Sequence, residues 1–134
     1  MGYSMGSAAM MALTRKAVKS VVLNLPIPTS TNRLWAKNER GIYKTSSYKA
    51  WIKEAGTLLE TQHPGCVNGP YHLTIYVRRS PTKNHGDLGN FEKGLSDLLQ
   101  NHGIITNDKL AKTIILMWVE DAAIVGCRVV VEAA

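Results

Sequence analysis

The segment Tyr71–Arg78, YHLTIYVR, alternates along its whole length between two kinds of side chain. Because successive side chains of an extended strand point to opposite faces, its apolar residues fall together on one face: Tyr71, Leu73, Ile75 and Val77. The other face carries histidine, threonine, tyrosine and arginine. The alternation therefore predicts a half-covered β-strand, one face of which packs against another layer of the protein.

Two segments with helical periodicity lie on either side of this strand. The first starts near Tyr48 behind a cap at Ser46 or Ser47, ends at residues 63–65, and repeats apolar side chains at spacings of three and four: Trp51, Ile52, Ala55, Leu58 and Leu59. The second runs from about Asn90 to His102, with a stripe made of Phe91, Leu95, Leu98, Leu99 and His102. Both patterns predict amphipathic helices.

Three further segments predict strands and complete the fold. Residues 20–28 and 126–133 are rich in β-branched side chains, and residues 113–119 are apolar on both faces, as expected of an interior strand. A long polar loop with a turn signal at residues 38–41 follows the first strand. The order β-α-β-α-β-β predicts an α/β (α+β) fold, in which two helices pack a mixed sheet that ends in an antiparallel pair.

The length of 134 residues falls in the range of a single domain. Residues 1–19 are rich in small side chains, so we expect a flexible N-terminal arm there and one domain over residues 20–134. Cys66 and Cys127 are far apart and belong to no zinc-like motif, so both are expected to be free thiols. No segment approaches the ~20 apolar residues of a membrane span. We expect a cytoplasmic protein without a membrane partner.

Basic residues dominate the charge and are concentrated in one segment. The chain has 16 lysines and arginines against 10 acids, a formal charge of +6, which favours a polyanionic partner such as nucleic acid. Residues 32–49 hold five of these cations and a single acid, with aromatic side chains between them. That mixture suits phosphate contacts and stacking on exposed bases, although a charge run is also typical of a plain solvated surface.

Two aspartates and a lysine form the candidate catalytic group. Asn90 and Asp97 lie about 20° apart around the second predicted helix, with Lys93 beside them. Asp87 precedes this helix and Asp108 follows it. Two carboxylates meet the minimum that Mg²⁺ requires, and a lysine can neutralise charge on a scissile phosphate. The same residues could instead be turn formers and a solvated surface pair.

Two motifs in this order resemble the RusA family of Holliday-junction resolvases. They are LPIPTSTNRLW near the start and DLGNFEKGLSDLLQNHGIITNDKL later in the chain, and the resemblance covers about Val21 to Glu132. In that family the first motif is approximately P-P-S-x-N-R-x-[YW], and the second is approximately D-x-D-N-x-x-K followed by D-A-L and a D-D pair. The resemblance implies a small homodimeric, Mg²⁺-dependent endodeoxyribonuclease of bacteria or their phages that acts on DNA four-way junctions.

The resemblance also implies roles for individual residues. Asp87 and Asp108 match the first and third catalytic aspartates, which hold the metal, and Lys93 matches the catalytic lysine. Gly89 stands where the family has its second catalytic aspartate, and Asn107 stands where it has the first acid of the late pair.

Glu92 is a possible compensating acid for the one missing at position 89. At α-helical spacing Glu92 lies about 200° around the helix from Asn90, so it could contribute only if the helix begins after it or is rotated. The residues expected to grip DNA are Asn32, Arg33, Lys37, Arg40, Lys44, Arg79 and Lys83. Two alternatives to a nuclease stay open: a weakened or inactive junction-binding protein of the same fold, and a general basic module for single-stranded nucleic acid.

Overall fold

A mixed four-stranded sheet with two helices packed on one face forms the body of the protein. The computed structural model describes residues 15–30, 33–79 and 86–134. In chain order its elements are β1 (Ser20–Leu25), β2 (Trp35–Asn38), β3 (Gly41–Lys44), α1 (Ser46–Thr61), β4 (Tyr71–Arg78), α2 (Glu92–Asn101), β5 (Ala111–Val119) and β6 (Cys127–Ala133). The predicted fold class, a mixed sheet packed by two helices, is confirmed.

The alternation in β4 is confirmed by its burial. Tyr71, Leu73, Ile75 and Val77 are all fully buried, whereas the residues between them are only half-buried. The strand order is β1-β6-β4-β5, with β6 antiparallel to both of its neighbours and β5 parallel to β4. Alternate residues of β1 and β6 extend the same buried face, so one side of the sheet carries the core.

Two expectations about the last strands are wrong. The segment expected to be an interior strand is β5, which lies at the edge of the sheet and leaves Ile114 42%, Ile115 47% and Met117 39% exposed. β5 and β6 also do not pair with each other, because residues 120–126 cross the end of β4 and carry β6 to its other side. Hydrogen bonds from Arg79 N to Val119 O (2.9 Å) and from Arg78 N to Gly126 O (3.0 Å) hold this crossing.

Both predicted helices are present with small changes at their ends. α1 is capped by Thr45 rather than by a serine, since the Thr45 hydroxyl accepts a hydrogen bond from the Tyr48 backbone N–H at 3.3 Å. α2 begins at Glu92, and residues 88–91 before it form a 3₁₀ turn. Four residues of the predicted apolar stripe are buried, Phe91, Leu95, Leu98 and Leu99, whereas the fifth, His102, caps the end of the helix and is only half-buried.

The predicted long loop contains a hairpin made of β2 and β3. Trp35 pairs with Lys44 and Asn38 with Gly41, and the turn between the strands is residues 39–40. The Asn38 side chain accepts a hydrogen bond from Arg40 N at 2.8 Å, and Gly41 has a φ of 118°, a value that favours glycine. The hairpin was missed because neither of its faces is buried, so its sequence has no two-residue periodicity of burial.

The first described residues of the predicted arm contact the body, while residues 1–14 lie outside the described part. Arg15 is inserted between the ends of the two helices, where its guanidinium pairs with Glu60 and donates to the carbonyl oxygen of His102 at 2.9 Å. His102 Nδ1 lies 2.8 Å from the other Glu60 oxygen. Burial alone would raise the pKa of Glu60, but the hydrogen bonds from Arg15 and His102 outweigh it and lower that pKa.

None of the helices in the described ranges is long and apolar enough to cross a membrane.

We predict that Glu60→Gln lowers the free energy of unfolding by about 1–3 kcal/mol at pH 7, because it removes the charged partner of Arg15 and His102. The depressed pKa means that the stabilisation is complete above the unfolded-state value of about 4.3 and is lost as the pH falls through the folded-state pKa. Urea unfolding at pH 7 and pH 3 measures both effects. Glu54→Gln, an exposed change on the same helix, is the control. Equal stability of wild type and Glu60→Gln at pH 7 would contradict the prediction.

Candidate functional site

One face of α2 and the turn before β5 meet at a cluster of opposite charges. Lys93 Nζ lies 3.0 Å from Asp97 Oδ1 and 3.8 Å from Asp108 Oδ2. We call Lys93, Asp97 and Asp108 the acid–lysine cluster. The hydrogen bond that Lys93 donates to Asp97 raises the pKa of Lys93, and the charges of Asp97, Asp108 and Glu92 add to this shift although desolvation opposes it. The lysine is therefore held as a cation next to two carboxylates that are each about one-third exposed.

Asp108 is held through its backbone, which leaves its carboxylate directed at Lys93. It opens a short 3₁₀ turn at residues 108–110, and its N–H donates to the Gln100 side chain at 2.8 Å. The hydroxyl of Tyr71, the first residue of β4, lies 3.5 Å from the backbone carbonyl oxygen of Asp108. Asn107, which replaces an acid of the resembled motif, caps the turn by accepting from Lys109 N at 2.9 Å. Asn107 thus has a structural use that needs no charge.

Asp87 lies in a separate concavity of about 540 Å³ at the N-terminal end of α2. Its backbone carbonyl accepts a hydrogen bond from Asn90 N at 3.1 Å, and its side chain is exposed and makes no cap hydrogen bond. Arg33 and Ser47 also line this space, which we call the Asp87 concavity. A carboxylate, a guanidinium and the N-terminal turn of α1 therefore share one open cleft.

The N-terminal end of α1 borders both groups. Ser47 lines the Asp87 concavity, and the next residue, Tyr48, lies close enough to the acid–lysine cluster for its charges to act on the phenol. Burial raises the pKa of Tyr48, Asp97 raises it further, and Lys93 partly opposes them. The position of Tyr48 could not be expected from sequence spacing, because it depends on how α1 packs against α2.

Asp87 and Asp108 do not meet in a ready-made metal cluster. Within residues 15–30, 33–79 and 86–134, no three acids, histidines or cysteines come together in an arrangement that could hold a metal ion. The structure instead brings Asp108 and Asp97 to the same lysine, Lys93, while Asp87 lines a concavity together with Arg33. Asp108 contacts side chains from both the first and the last turn of α2, Lys93 and Gln100, so it lies alongside the helix, and Asp87 precedes the 3₁₀ turn that leads into the same helix.

Gly89 lies in open space on the 3₁₀ turn. A Cβ built there would have no heavy atom within 4 Å, and its φ lies outside the left-handed range that favours glycine. Neither space nor backbone conformation therefore explains why this position is a glycine. The backbone at position 89 would therefore accept a residue with a Cβ atom, such as aspartate, without a clash at that atom.

Glu92 is already engaged in the helix. Its Oε1 accepts from the Ser96 hydroxyl at 2.9 Å, and Ser96 is a fully buried polar side chain that needs such a partner. Because α2 begins at Glu92, the α-helical offset of about 200° from Asn90 does not hold across the 3₁₀ turn. The charge of Glu92 acts on both Lys93 and Tyr71, so it reaches the side of the molecule that carries Asp108.

The cations expected to bind DNA lie in several segments of the chain. Lys37, Arg40 and Lys44 lie on the exposed hairpin, and Arg33 lies at its base. The Arg79 guanidinium lies 5.7 Å from the Trp118 ring, which itself contacts Phe91 of the Asp87 concavity. Asn32 and Lys83 lie outside the described residues.

Gln100 and Ser47 are polar residues of the site that the sequence reasoning missed. Gln100 follows Lys93 and Asp97 at spacings of seven and three, so the helical period could have placed it on the same face. Ser47 was expected only as a helix cap, and no sequence signal connects it to Asp87.

A family model described as "Endodeoxyribonuclease RusA" matches residues 25–132 of the chain, a range that includes the hairpin, the Asp87 concavity and the acid–lysine cluster. No curated protein matches the chain.

Proposed function

We propose, from the premise that the chain belongs to the RusA family of endodeoxyribonucleases, that it is a magnesium-dependent nuclease selective for four-way DNA junctions. Membership of the family implies Holliday-junction resolution in recombination and repair. The observation that carries the proposal for this chain is the position of Lys93, a charged lysine between two carboxylates within the matched region.

Lys93 is the residue best placed to act on a scissile phosphate. Its ammonium is half-exposed and stays charged, so it can stabilise the negative charge that develops on a phosphate oxygen during hydrolysis. Asp97 holds this ammonium at 3.0 Å and limits the orientations that Lys93 can adopt. We assign Lys93 and Asp108 as catalytic residues and Asp97 as a positioning residue.

The donor atoms present fit magnesium, which prefers carboxylate oxygens and commonly takes only one or two from the protein. We propose Asp108 and Asp87 as the residues that would hold it, since both have accessible carboxylates beside α2. When bound, the metal supplies Lewis acidity toward the scissile phosphate. Arg33, Lys37, Arg40, Lys44 and Arg79, together with Asn32 and Lys83, would bind the DNA backbone.

A second function, junction binding with weak or no cleavage, is favoured by one specific observation. Gly89 places no carboxylate where the family has an acid, and Glu92 is occupied by a buried serine hydroxyl. A site with fewer acids binds Mg²⁺ less tightly. The same fold could therefore serve to hold a junction for another enzyme.

We further propose a homodimer that forms through β5. This edge strand has nine residues, exposes three large apolar side chains and carries a single charge, Lys112. Long, apolar and uncharged edges pair readily with another strand, and monomeric proteins normally protect them.

The opposite edge of the sheet is protected. The Gln62 side chain donates to Asn24 O at 2.8 Å and accepts from Asn24 N at 2.9 Å, which occupies the outward backbone groups of this residue near the end of β1. Two β5 strands related by a two-fold axis would pair antiparallel and join the sheets. Such a dimer suits a four-way junction, which itself has near two-fold symmetry.

We place the activity in the cytoplasm of a bacterial or phage-infected cell, where its DNA substrate lies. Cys66 and Cys127 are buried free thiols, and burial raises the pKa of Cys127 to about 12.

We predict that Asp108→Asn or Asp87→Asn slows junction cleavage about 100-fold or more, because each removes a charge from the metal and phosphate site. Junction affinity should stay within about twofold, since the cations that bind the backbone are elsewhere. The measurement is single-turnover cleavage of a labelled junction in Mg²⁺, with binding measured in EDTA. Asp121→Asn, an exposed acid on the link before β6, is the control. Cleavage at the wild-type rate by either variant would show that the metal site is assigned wrongly.

We predict that Gly89→Asp lowers the Mg²⁺ concentration for half-maximal cleavage about 10-fold, because an added carboxylate strengthens a weak site. Glu92→Gln is the companion variant, and it keeps an oxygen that can accept from Ser96. If Glu92 serves only Ser96, this variant should cleave normally. Loss of activity in Glu92→Gln, with little gain in Gly89→Asp, would instead make Glu92 the compensating acid. An unchanged Mg²⁺ titration and maximal rate in folded Gly89→Asp would contradict the weakened-site proposal.

We predict that Ile115→Lys raises the dimer dissociation constant about 30-fold or more, as loss of an interface hot spot does. Light scattering across a protein dilution series measures this constant. Val125→Lys introduces the same charge at an apolar residue that is 77% exposed but lies outside the strands, so it should leave the dimer intact. A wild type that stays monomeric at tens of micromolar, or a dimer that Ile115→Lys does not weaken, would contradict pairing through β5.

A further inference from the structure

The hairpin formed by β2 and β3 has a fixed direction relative to α1. Leu34, immediately before β2, is buried in the core. Thr45, immediately after β3, donates from its backbone N–H to Leu34 O at 3.1 Å, and its side chain donates to the carbonyl oxygen of Arg33. Both ends of the hairpin are therefore anchored at the cap of α1, while its strands extend away from the core.

One face of this hairpin is apolar and basic. The register pairs Trp35 with Lys44 and Lys37 with Ile42, so these four side chains share a face, which we call the stacking face. Trp35 is 50% exposed and Ile42 is 72% exposed. The opposite face carries Tyr43 together with small or polar residues. Two large apolar side chains thus lie in solvent between two lysines.

The stacking face leads directly to the acid–lysine cluster. The Trp35 and Tyr48 rings are 6.2 Å apart in an edge-to-face arrangement, and Lys44 Nζ lies 5.9 Å from both ring centres. The charges of Asp97 and Lys93 in turn act on the pKa of Tyr48. Tyr48 is therefore the side chain that connects the stacking face to the acid–lysine cluster.

The chemistry of this face selects its ligand. A flat ring and a branched aliphatic side chain offer stacking surface to a planar ring, and lysines on both sides offer contacts to phosphates. The hairpin has three basic side chains against one acid, which disfavours a basic or apolar protein partner. Within an intact duplex each base is stacked on its neighbours and offers no free face. At an open branch point this stacking is interrupted, so the face of a base becomes accessible.

We propose that the stacking face, formed by Trp35, Lys37, Ile42 and Lys44, binds a nucleobase exposed at the branch point of a DNA junction. This inference rests on the proposed function and adds the element that distinguishes a junction from duplex. Stacking by Trp35 and Ile42 supplies selectivity for the exposed base, and the two lysines bind the flanking phosphates. The hairpin thereby sets the position of the branch point relative to Lys93.

The test measures binding in EDTA, where no cleavage occurs, to a four-way junction and to a linear duplex of the same arm sequence. We expect Ile42→Ser and Trp35→Ala to weaken junction binding about 5- to 100-fold, the range found for loss of one base–aromatic stack. Duplex affinity should change less than about twofold. Trp35→Phe should keep most of the junction affinity, and Tyr43→Ser, on the opposite face, should lose less than about twofold.

A second readout reports the stacked base itself. 2-Aminopurine placed at the branch point should be quenched by wild type and by Tyr43→Ser, but not by Trp35→Ala. The same probe inside an arm should not respond to any of them. Ile42→Ser carries the test if Trp35→Ala fails to fold, because Trp35 packs on Tyr48 whereas Ile42 is largely exposed.

Three outcomes would overturn the proposal. If wild type prefers the junction and both Ile42→Ser and Trp35→Ala keep that preference, the stacking face is wrong and the nuclease proposal stands. If the variants lose junction and duplex affinity equally, or if Tyr43→Ser matches Ile42→Ser, the hairpin is a general DNA or protein contact. If wild type shows no preference for the junction, the proposed function fails and this inference fails with it.

Discussion

Both helices pack on the same face of the sheet, and the position of every site residue depends on that arrangement. The buried residues of α1, α2, β1, β4 and β6 form one core, against which Leu116 and Trp118 of β5 pack in a partly buried state. With its apolar stripe buried there, α2 directs Lys93 and Asp97 along its outer side. The chain then returns through Gln100 and Asp108 to the start of β5. The acid–lysine cluster is therefore a product of core packing, although none of its members belongs to the core.

Periodic burial was predictable from the sequence, together with the contacts that this periodicity determines. The alternation of β4 and the stripe of α2 made their buried faces visible, and the spacing of Lys93 and Asp97 made their pairing visible. The hairpin is exposed on both faces and carries no such signal. β5 was placed wrongly because an apolar sequence does not reveal how many neighbours a strand has. The same residues would suit an interior strand with two neighbours or, as here, an edge strand with one. The relation of Glu92 to Asn90 was missed because a 3₁₀ turn intervenes.

The site combines features of a nuclease with a reduced number of acids. Its lysine is restrained by Asp97 and Asp108, and both positions missing an acid have a clear structural description: Asn107 caps a turn, and Gly89 lies in open space. Positions 107 and 89 differ in the surroundings that an acid there would have. A negative charge at position 107 would lie next to Asp108. Position 89 instead lies two residues after Asp87, close to the concavity that Asp87 and Arg33 line. An acid at position 89 would therefore add negative charge close to the concavity that Asp87 and Arg33 line.

The side chain of Gln62 has a consequence for how large an assembly this protein can form. By occupying both outward backbone groups of Asn24, it obstructs the addition of another strand along the β1 edge of the sheet. A subunit with two available edges can add neighbours on both sides and polymerise into filaments without limit. A subunit with one can add a single neighbour, after which no edge remains. If the subunits pair through β5 as proposed, the contact between Gln62 and Asn24 favours a sheet that ends at two copies over one that grows into a fibre.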